Sequence, residues 1–174
     1  MNSAKLGPNG LYHTRLLQPP DLVALQSLFE RGSDYFEIAT GAPPAKDEAT
    51  RAYVAGPPTK SVDDKRVIGV FDAEDHLVGV LDAIVDWPQD GVWSMGILLL
   101  DPAHRGSGLG TAVLGAFEGW AEGRGAREFR TAVVTRHAAG RRFLSESGYH
   151  DEQTTEDPAA DTGQAPIVFL TKVV

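Results

Sequence analysis

The sequence predicts an α/β fold: one central mixed, mostly antiparallel sheet flanked by helices. Three observations carry that expectation. Short apolar runs rich in branched residues recur along the chain, each bounded by turn formers. Between them lie stretches with apolar residues at helical spacing, most clearly from Leu109 onward. The chain has 174 residues, 42% hydrophobic and 23% charged, which fits one globular domain able to bury a core without a covalent staple.

Taken in order, residues 1–9 carry no periodic pattern and are expected to be flexible. Residues 10–18 read as a first strand, stopped by Pro19-Pro20. Leu22, Leu25, Leu28 and Phe29 then follow at helical spacing behind Asp21. A second short helix is expected over 33–40, ended by Gly41, and a third over 47–55, closed by Gly56-Pro57-Pro58. Three strands follow at 66–71, 77–86 and 92–100. Their connections are short, so they should form an antiparallel meander. Asp101-Pro102 ends the third, and a glycine-rich loop leads into a helix. Leu109, Val113, Leu114, Phe117, Trp120 and Ala121 form its apolar stripe, and Gly123 and Gly125 close it. A strand over 129–134, a helix over 138–147, a further strand from Tyr149, an acidic solvated loop over 151–166 and a closing strand over 167–174 complete the order. All of 1–174 is expected to form a single domain.

Composition excludes several functions. There is no cysteine, so disulfides, thiolate metal sites and a cysteine nucleophile are ruled out, and no metal site is expected. Lys plus Arg number 16 against 24 Asp plus Glu, a net charge of −8, which argues against a nucleic-acid partner. The longest apolar run, Ile97 to Leu100, is far short of the roughly 20 residues that cross a membrane. The start lacks a signal-peptide core, and a cytoplasmic protein is expected. The charge is uneven. Residues 101–150 hold seven arginines against five acids, a balance of +2, leaving −10 to the rest. The basic part suits an anionic ligand and the acidic part a cationic amine.

The segment that carries chemistry is Leu98-Leu99-Leu100-Asp101-Pro102-Ala103-His104-Arg105-Gly106-Ser107-Gly108-Leu109-Gly110-Thr111. A buried strand runs into a loop with alternating glycines that opens an amphipathic helix. Glycines let backbone N–H groups approach a ligand closely, and a helix N-terminus carries unpaired donors and partial positive charge. With Arg105, this makes a cradle for a pyrophosphate. A P-loop is excluded because no lysine occurs between Lys65 and Lys172. A dinucleotide fingerprint is excluded because Thr111 stands where its third glycine belongs.

Arg105-x-x-Gly108-x-Gly110 resembles the acyl-CoA loop of the GNAT acetyltransferase superfamily, R/Q-x-x-G-x-G/A. His137-Ala138-Ala139-Gly140-Arg141-Arg142-Phe143-Leu144 through Gly148-Tyr149 keeps the register of that family's N-x-x-A-x-x-F-Y-x-x-x-G-F, and the element order matches nearly throughout. The resemblance implies an acetyl-CoA-dependent N-acetyltransferase, with coenzyme A as co-substrate and a small-molecule or peptide amine as acceptor. It implies that the backbone of Leu98, Leu99 and Leu100 pairs with the pantetheine arm. It also implies that Arg105, Gly106, Ser107, Gly108, Leu109, Gly110 and Thr111 hold the pyrophosphate. Three positions depart from the pattern: His137 replaces the Asn, Gly140 the Ala, and Leu144 the Tyr that serves many members as acid. His137 is therefore both a cofactor-side residue and a candidate proton donor. Asp82, Asp86 and Ser94 are candidates for removing the amine proton or positioning a water for it. Asp34, Tyr35, Glu37 and Tyr53, with Trp87 and Trp93, are candidate acceptor walls, and Arg136, Arg141 and Arg142 candidate partners of the CoA 3′-phosphate. A non-catalytic acyl-CoA-binding module of the same fold is the alternative, and a homodimer is the commonest assembly for such a domain.

Overall fold

The runs at 66–71 and 77–84 lack the polar alternation of a strand with one wet face, and the structure supplies the reason. In a computed structural model, which describes residues 1, 3–152 and 166–174, both strands are covered on two sides. The elements are β1 (Ser3–Leu6), β2 (Tyr12–Leu16), α1 (Leu22–Arg31), α2 (Ser33–Thr40) and α3 (Glu48–Val54). They continue with β3 (Lys65–Phe71), β4 (Leu77–Ile84), β5 (Val92–Leu100), α4 (Leu109–Glu122), β6 (Glu128–Val134), α5 (Ala138–Glu146), β7 (His150–Asp151) and β8 (Ile167–Val173). One mixed sheet runs in the order β1-β2-β3-β4-β5-β6-β8-β7. Among the described residues, only β5 and β6 pair in parallel, joined by α4 as a crossover.

Each sheet face has its own core. Ile68, Val70, Leu81, Trp93 and Met95 pack with Leu109, Val113, Leu114 and Phe117 of α4 and Leu144 of α5. Val67, Phe71, Val80 and Leu99 pack on the other face with Leu25, Leu28 and Phe29 of α1, Phe36 of α2 and Ala49 of α3. Burying a side chain of this size is worth about 1.5–3 kcal/mol, so these two clusters set the sheet register.

Several boundaries differ from the sequence expectation. The first nine residues contain an edge strand, β1, paired antiparallel with β2. β4 ends at Ile84, so Asp86 does not share a strand face with Asp82. Asp86 sits at φ 51° in the following turn, where its Oδ1 accepts the Gly91 N–H at 2.8 Å. The acidic loop expected over 151–166 falls mostly on 153–165, outside the described residues. Among the described residues, no helix is long and apolar enough to cross a membrane, and no group of three or more potential ligands is placed to hold a metal ion.

Two irregularities in β5 create the opening that the rest of the molecule lines. First, β5 and β6 pair only from Val92–Met95 to Glu128–Thr131 and then part, although both continue. Second, Leu81 faces Leu98 while Ala83 faces Met95, so β5 carries one extra residue opposite Asp82. This bulge, at Gly96 and Ile97, lies where the parallel pairing stops.

Candidate active site

The bulge is built from Asp82. Its Oδ1 accepts the Ile97 N–H at 2.7 Å, and its Oδ2 faces Lys65 Nζ at 2.7 Å. Lys65 also donates to the carbonyls of Ala52 (2.5 Å) and Ala55 (2.7 Å), tying the end of α3 to the sheet. Both charged side chains are at most 10% exposed. Both Asp82 oxygens and the Lys65 ammonium have partners, the condition under which a buried ion pair persists. Gly96 is required beside it: a Cβ there would sit 2.5 Å from Asp82 Oδ1.

On one side of the opening between β5 and β6 is a cavity of about 510 Å³. Asp82, Ser94 and Trp87 line it, as do Lys65, Glu48, Arg130 and apolar groups from Phe36, Ile84, Ile97 and Phe169. Ser94 Oγ donates to the Trp87 carbonyl at 2.7 Å. The Arg130 guanidinium carbon lies over the Phe169 ring, 4.1 Å from its centre, and Arg130 Nε donates to Glu152 at 2.8 Å. Glu48 and Asp82 are the carboxylates on this wall, against two cations.

On the other side is a cavity of about 690 Å³ lined by Leu98, Leu99, Leu100, Arg105, Gly106, Gly108, Gly110, Thr111 and His137. Gly106 and Gly108 have φ of 73° and 83°, a conformation that disfavours any side chain, and a Cβ at either would meet nothing within 4 Å. Gly108 is the N-cap of α4 and no side chain caps that end, so the first-turn donors are free of side-chain competition. An open glycine cradle at a helix start fits the diphosphate of coenzyme A. The β5 edge beyond Met95, unpaired with β6, fits the amide-bearing pantetheine arm.

The remaining sequence candidates separate clearly. Ser107 and Leu109 do not line the cavity: Ser107 Oγ donates to the His104 carbonyl at 3.1 Å, and Leu109 is fully buried in the core. The Arg105 guanidinium does not point into the cradle. It grips both oxygens of Asp34 at 2.5 and 3.0 Å, while its Nε donates to the Leu100 carbonyl at 2.8 Å. This bridge holds the Asp34 carboxyl below its ordinary pKa. Arg136 lines the cavity and donates to the Ile38 carbonyl, a second tie from the far wall to α2. Arg141 pairs with Asp151, and Arg142 is exposed beside Glu146. Trp93 is 2% exposed in the core, Tyr53 donates to the Leu17 carbonyl at 3.4 Å, and Glu37 is exposed and lines neither cavity. His137 has its pKa lowered, chiefly by burial, and is neutral near pH 7. Its ring lies over Gly140, where a Cβ would come within 2.6 Å of Nδ1. The departures at 137 and 140 are therefore one feature: a ring at 137 takes the space of a methyl at 140.

Lys65, Gly96 and Arg130 were not anticipated as site residues. A glycine inside a strand pattern was the available signal at 96, since it often marks a bulge.

The model of the Acetyltransferase (GNAT) family matches residues 26–149. The chain belongs to the GNAT acetyltransferase family. Solved GNAT structures superpose on it along almost their whole length. An acetyltransferase from Thermus thermophilus is 19% identical, covers 99% of this chain and 100% of its own, and gives a TM-score of 0.73. The GNAT domain of S. lividans PAT is 17% identical, covers 100% and 96%, and scores 0.74. RimL, a ribosomal L7/L12 alpha-N-protein acetyltransferase solved with coenzyme A, is 14% identical, covers 94% of each chain, and scores 0.71. A comparison with curated proteins finds no match. At these identities the structures share the fold, and the acyltransferase assignment rests on the family.

Proposed function

We propose that this GNAT protein is an acetyl-CoA-dependent N-acetyltransferase acting on a primary amine of a small molecule or peptide by direct attack in a ternary complex. The observation that carries the reading is a pair of cavities beside the parting of β5 and β6 that share Tyr35 in their walls, one of them holding the glycine cradle. Residues Leu98 to Leu100 and the backbone from Arg105 to Thr111, with His137, would hold coenzyme A, whose thioester supplies an activated acetyl group. The acceptor amine must lose a proton to attack, since a free amine has a pKa near 10. Asp82 is the candidate base. It spends one lone pair on each oxygen, so each retains another. Ser94 would position a water there, whereas Asp86 is held in its turn by Gly91 and lines neither cavity. Two carboxylates against two cations, among mostly apolar walls, favour an acceptor with one amine and an apolar body over a polycation.

The test is acetyl-CoA-dependent release of thiol across a panel of amino acids, peptides, polyamines and aminoglycosides, with thermal stabilisation by acetyl-CoA read in parallel. Turnover with a monoamine supports the reading. Failure of acetyl-CoA to raise the melting temperature overturns it. One observation favours the binding-module alternative: Leu144 is buried in the core at 6% exposure and offers no proton. That alternative requires stabilisation by acetyl-CoA with no turnover.

A further inference from the structure

The two cations on the wall of the 510 Å³ cavity are not equivalent. Lys65 spends its ammonium on Asp82 and on the carbonyls of Ala52 and Ala55. An ammonium has three N–H donors, so none is left for a ligand. A guanidinium has five. Arg130 gives one of them, at Nε, to Glu152, and the Phe169 ring covers one of its faces. Among the described residues, no acceptor bonds either terminal nitrogen, although the side chain is only 17% exposed. Nη1 and Nη2 share the edge that grips a carboxylate through two parallel bonds. Strand register puts Arg130 on the same sheet face as Asp82. Ile84 pairs with Ser94, and Ser94 with Arg130, a single row across β4, β5 and β6. Asp82 is two residues from Ile84 along β4, hence on that face. Phe169 is two residues from Thr171, which pairs with Arg130, so the ring shares the face as well. The candidate base and the unused guanidinium edge therefore belong to one cavity, whose other walls include Phe29, Phe36, Trp87 and Ile97.

We propose that the acceptor is an amino acid with an apolar side chain, and that Arg130 recognises its free carboxylate. The proposal rests on the N-acetyltransferase reading. The carboxylate accepts from Nη1 and Nη2, and the apolar side chain lies against the aromatic and aliphatic walls. The carboxylate takes no part in the transfer. The amine nitrogen gains the acetyl group and loses a proton, and the sulfur leaves with the electron pair and takes up a proton from solvent. Arg130 suits the task because it is already ordered. Glu152 fixes its Nε and Phe169 its face, so little freedom is lost when a ligand arrives. Glu152 offsets part of the charge but leaves the terminal donors open. In a mostly apolar cavity a bond from those donors to a carboxylate is stronger than the same bond in water. The amide of the same amino acid carries no charge there, and its NH2 group would set donors against donors.

The test is thiol release from acetyl-CoA with matched pairs: L-leucine and L-leucinamide, L-phenylalanine and L-phenylalaninamide. In the native protein kcat/KM is expected to be roughly 10–100-fold higher for the acid of the preferred pair. Amine reactivity alone predicts the reverse order, because an amine beside an amide is less basic and more of it is neutral near pH 7. Arg130→Met should bring the acid-to-amide ratio towards one, chiefly through KM for the acid. Arg130→Lys keeps the charge without the two-bond edge and should leave an intermediate ratio. Lost packing or a broken contact with Glu152 would lower both members of a pair together and leave the ratio standing, so the ratio separates recognition from structure. Amides used as well as acids by the native protein overturn the proposal without any variant, and so does a ratio that Arg130→Met does not move. Thiol release with other amines but with neither acid overturns it and leaves the acetyltransferase reading intact. Stabilisation by acetyl-CoA with thiol release for no amine overturns both.

Discussion

Gly96→Ala adds one methyl group at the β5 bulge and should destabilise the protein measurably. The new Cβ would lie 2.5 Å from Asp82 Oδ1 and 3.3 Å from its Cγ. That carboxylate cannot step aside freely, because Ile97 N–H and Lys65 hold its two oxygens at 2.7 Å each. Overpacking of this kind costs about 1–3 kcal/mol, and prising Asp82 from Lys65 would add to it. The opposing term is smaller: Gly to Ala stiffens the unfolded chain and favours folding by about 0.4–1 kcal/mol where the backbone tolerates a side chain. The clash therefore wins, by about 1–2 kcal/mol, which for a chain of this length lowers Tm by roughly 2–8 °C. Thermal denaturation gives the first number, and the same substitution in an Asp82→Ala/Lys65→Met background gives the decisive one. With the carboxylate gone the methyl has room, and Gly96→Ala should become neutral or stabilising. Equal costs in the two backgrounds would refute the claim that Asp82 is why residue 96 is glycine.

Three further outcomes follow from the same geometry. Gly108→Trp should abolish stabilisation by acetyl-CoA in a thermal-shift assay by filling the open cradle, and undiminished binding would place the cofactor elsewhere. Gly140→Ala should be near neutral in the native protein, where it displaces the His137 ring. In a His137→Asn background it should stabilise by about 0.5–1 kcal/mol through helix propensity, read by denaturant melts. Arg15 beside Asp21 and Arg105 beside Asp34 hold these carboxyls below 3.8, so the folded protein keeps them charged where the unfolded chain protonates them. Their stabilisation is complete above that value and is lost as pH falls through the folded pKa values. Asp34→Asn should therefore show a smaller drop in Tm between pH 5 and 3 than the native protein, by calorimetry.

Much of the fold was legible because its signals are local. The helix from Leu109, the strand over 92–100 and the helix over 33–40 have the predicted bounds, since periodicity and a terminating glycine or proline lie within each segment. The cradle was legible for the same reason: its glycines and its helix are contiguous. β1 escaped notice because four residues carry no period, and its pairing partner decides it. Asp86 looked like a strand residue because the apolar run Ala83-Ile84-Val85 leads up to it, although the strand stops at Ile84. Arg105 was assigned to the cradle by its place in the loop motif, while its guanidinium reaches Asp34, 71 residues away in sequence.

By itself the sequence determined the element order from β2 onward, the glycine cradle at the start of α4 and membership in a fold class with an acyl-CoA loop. These depend on neighbours within a few residues, where backbone sterics and side-chain spacing suffice. Tertiary structure alone decided that β5 bulges at Gly96, that Asp82 and Lys65 fill the bulge, and that Tyr35 lines both cavities. Each of these sets side chains from distant segments against one another across the sheet. Their contact follows from strand register and from the parting of β5 and β6, and no local pattern encodes either.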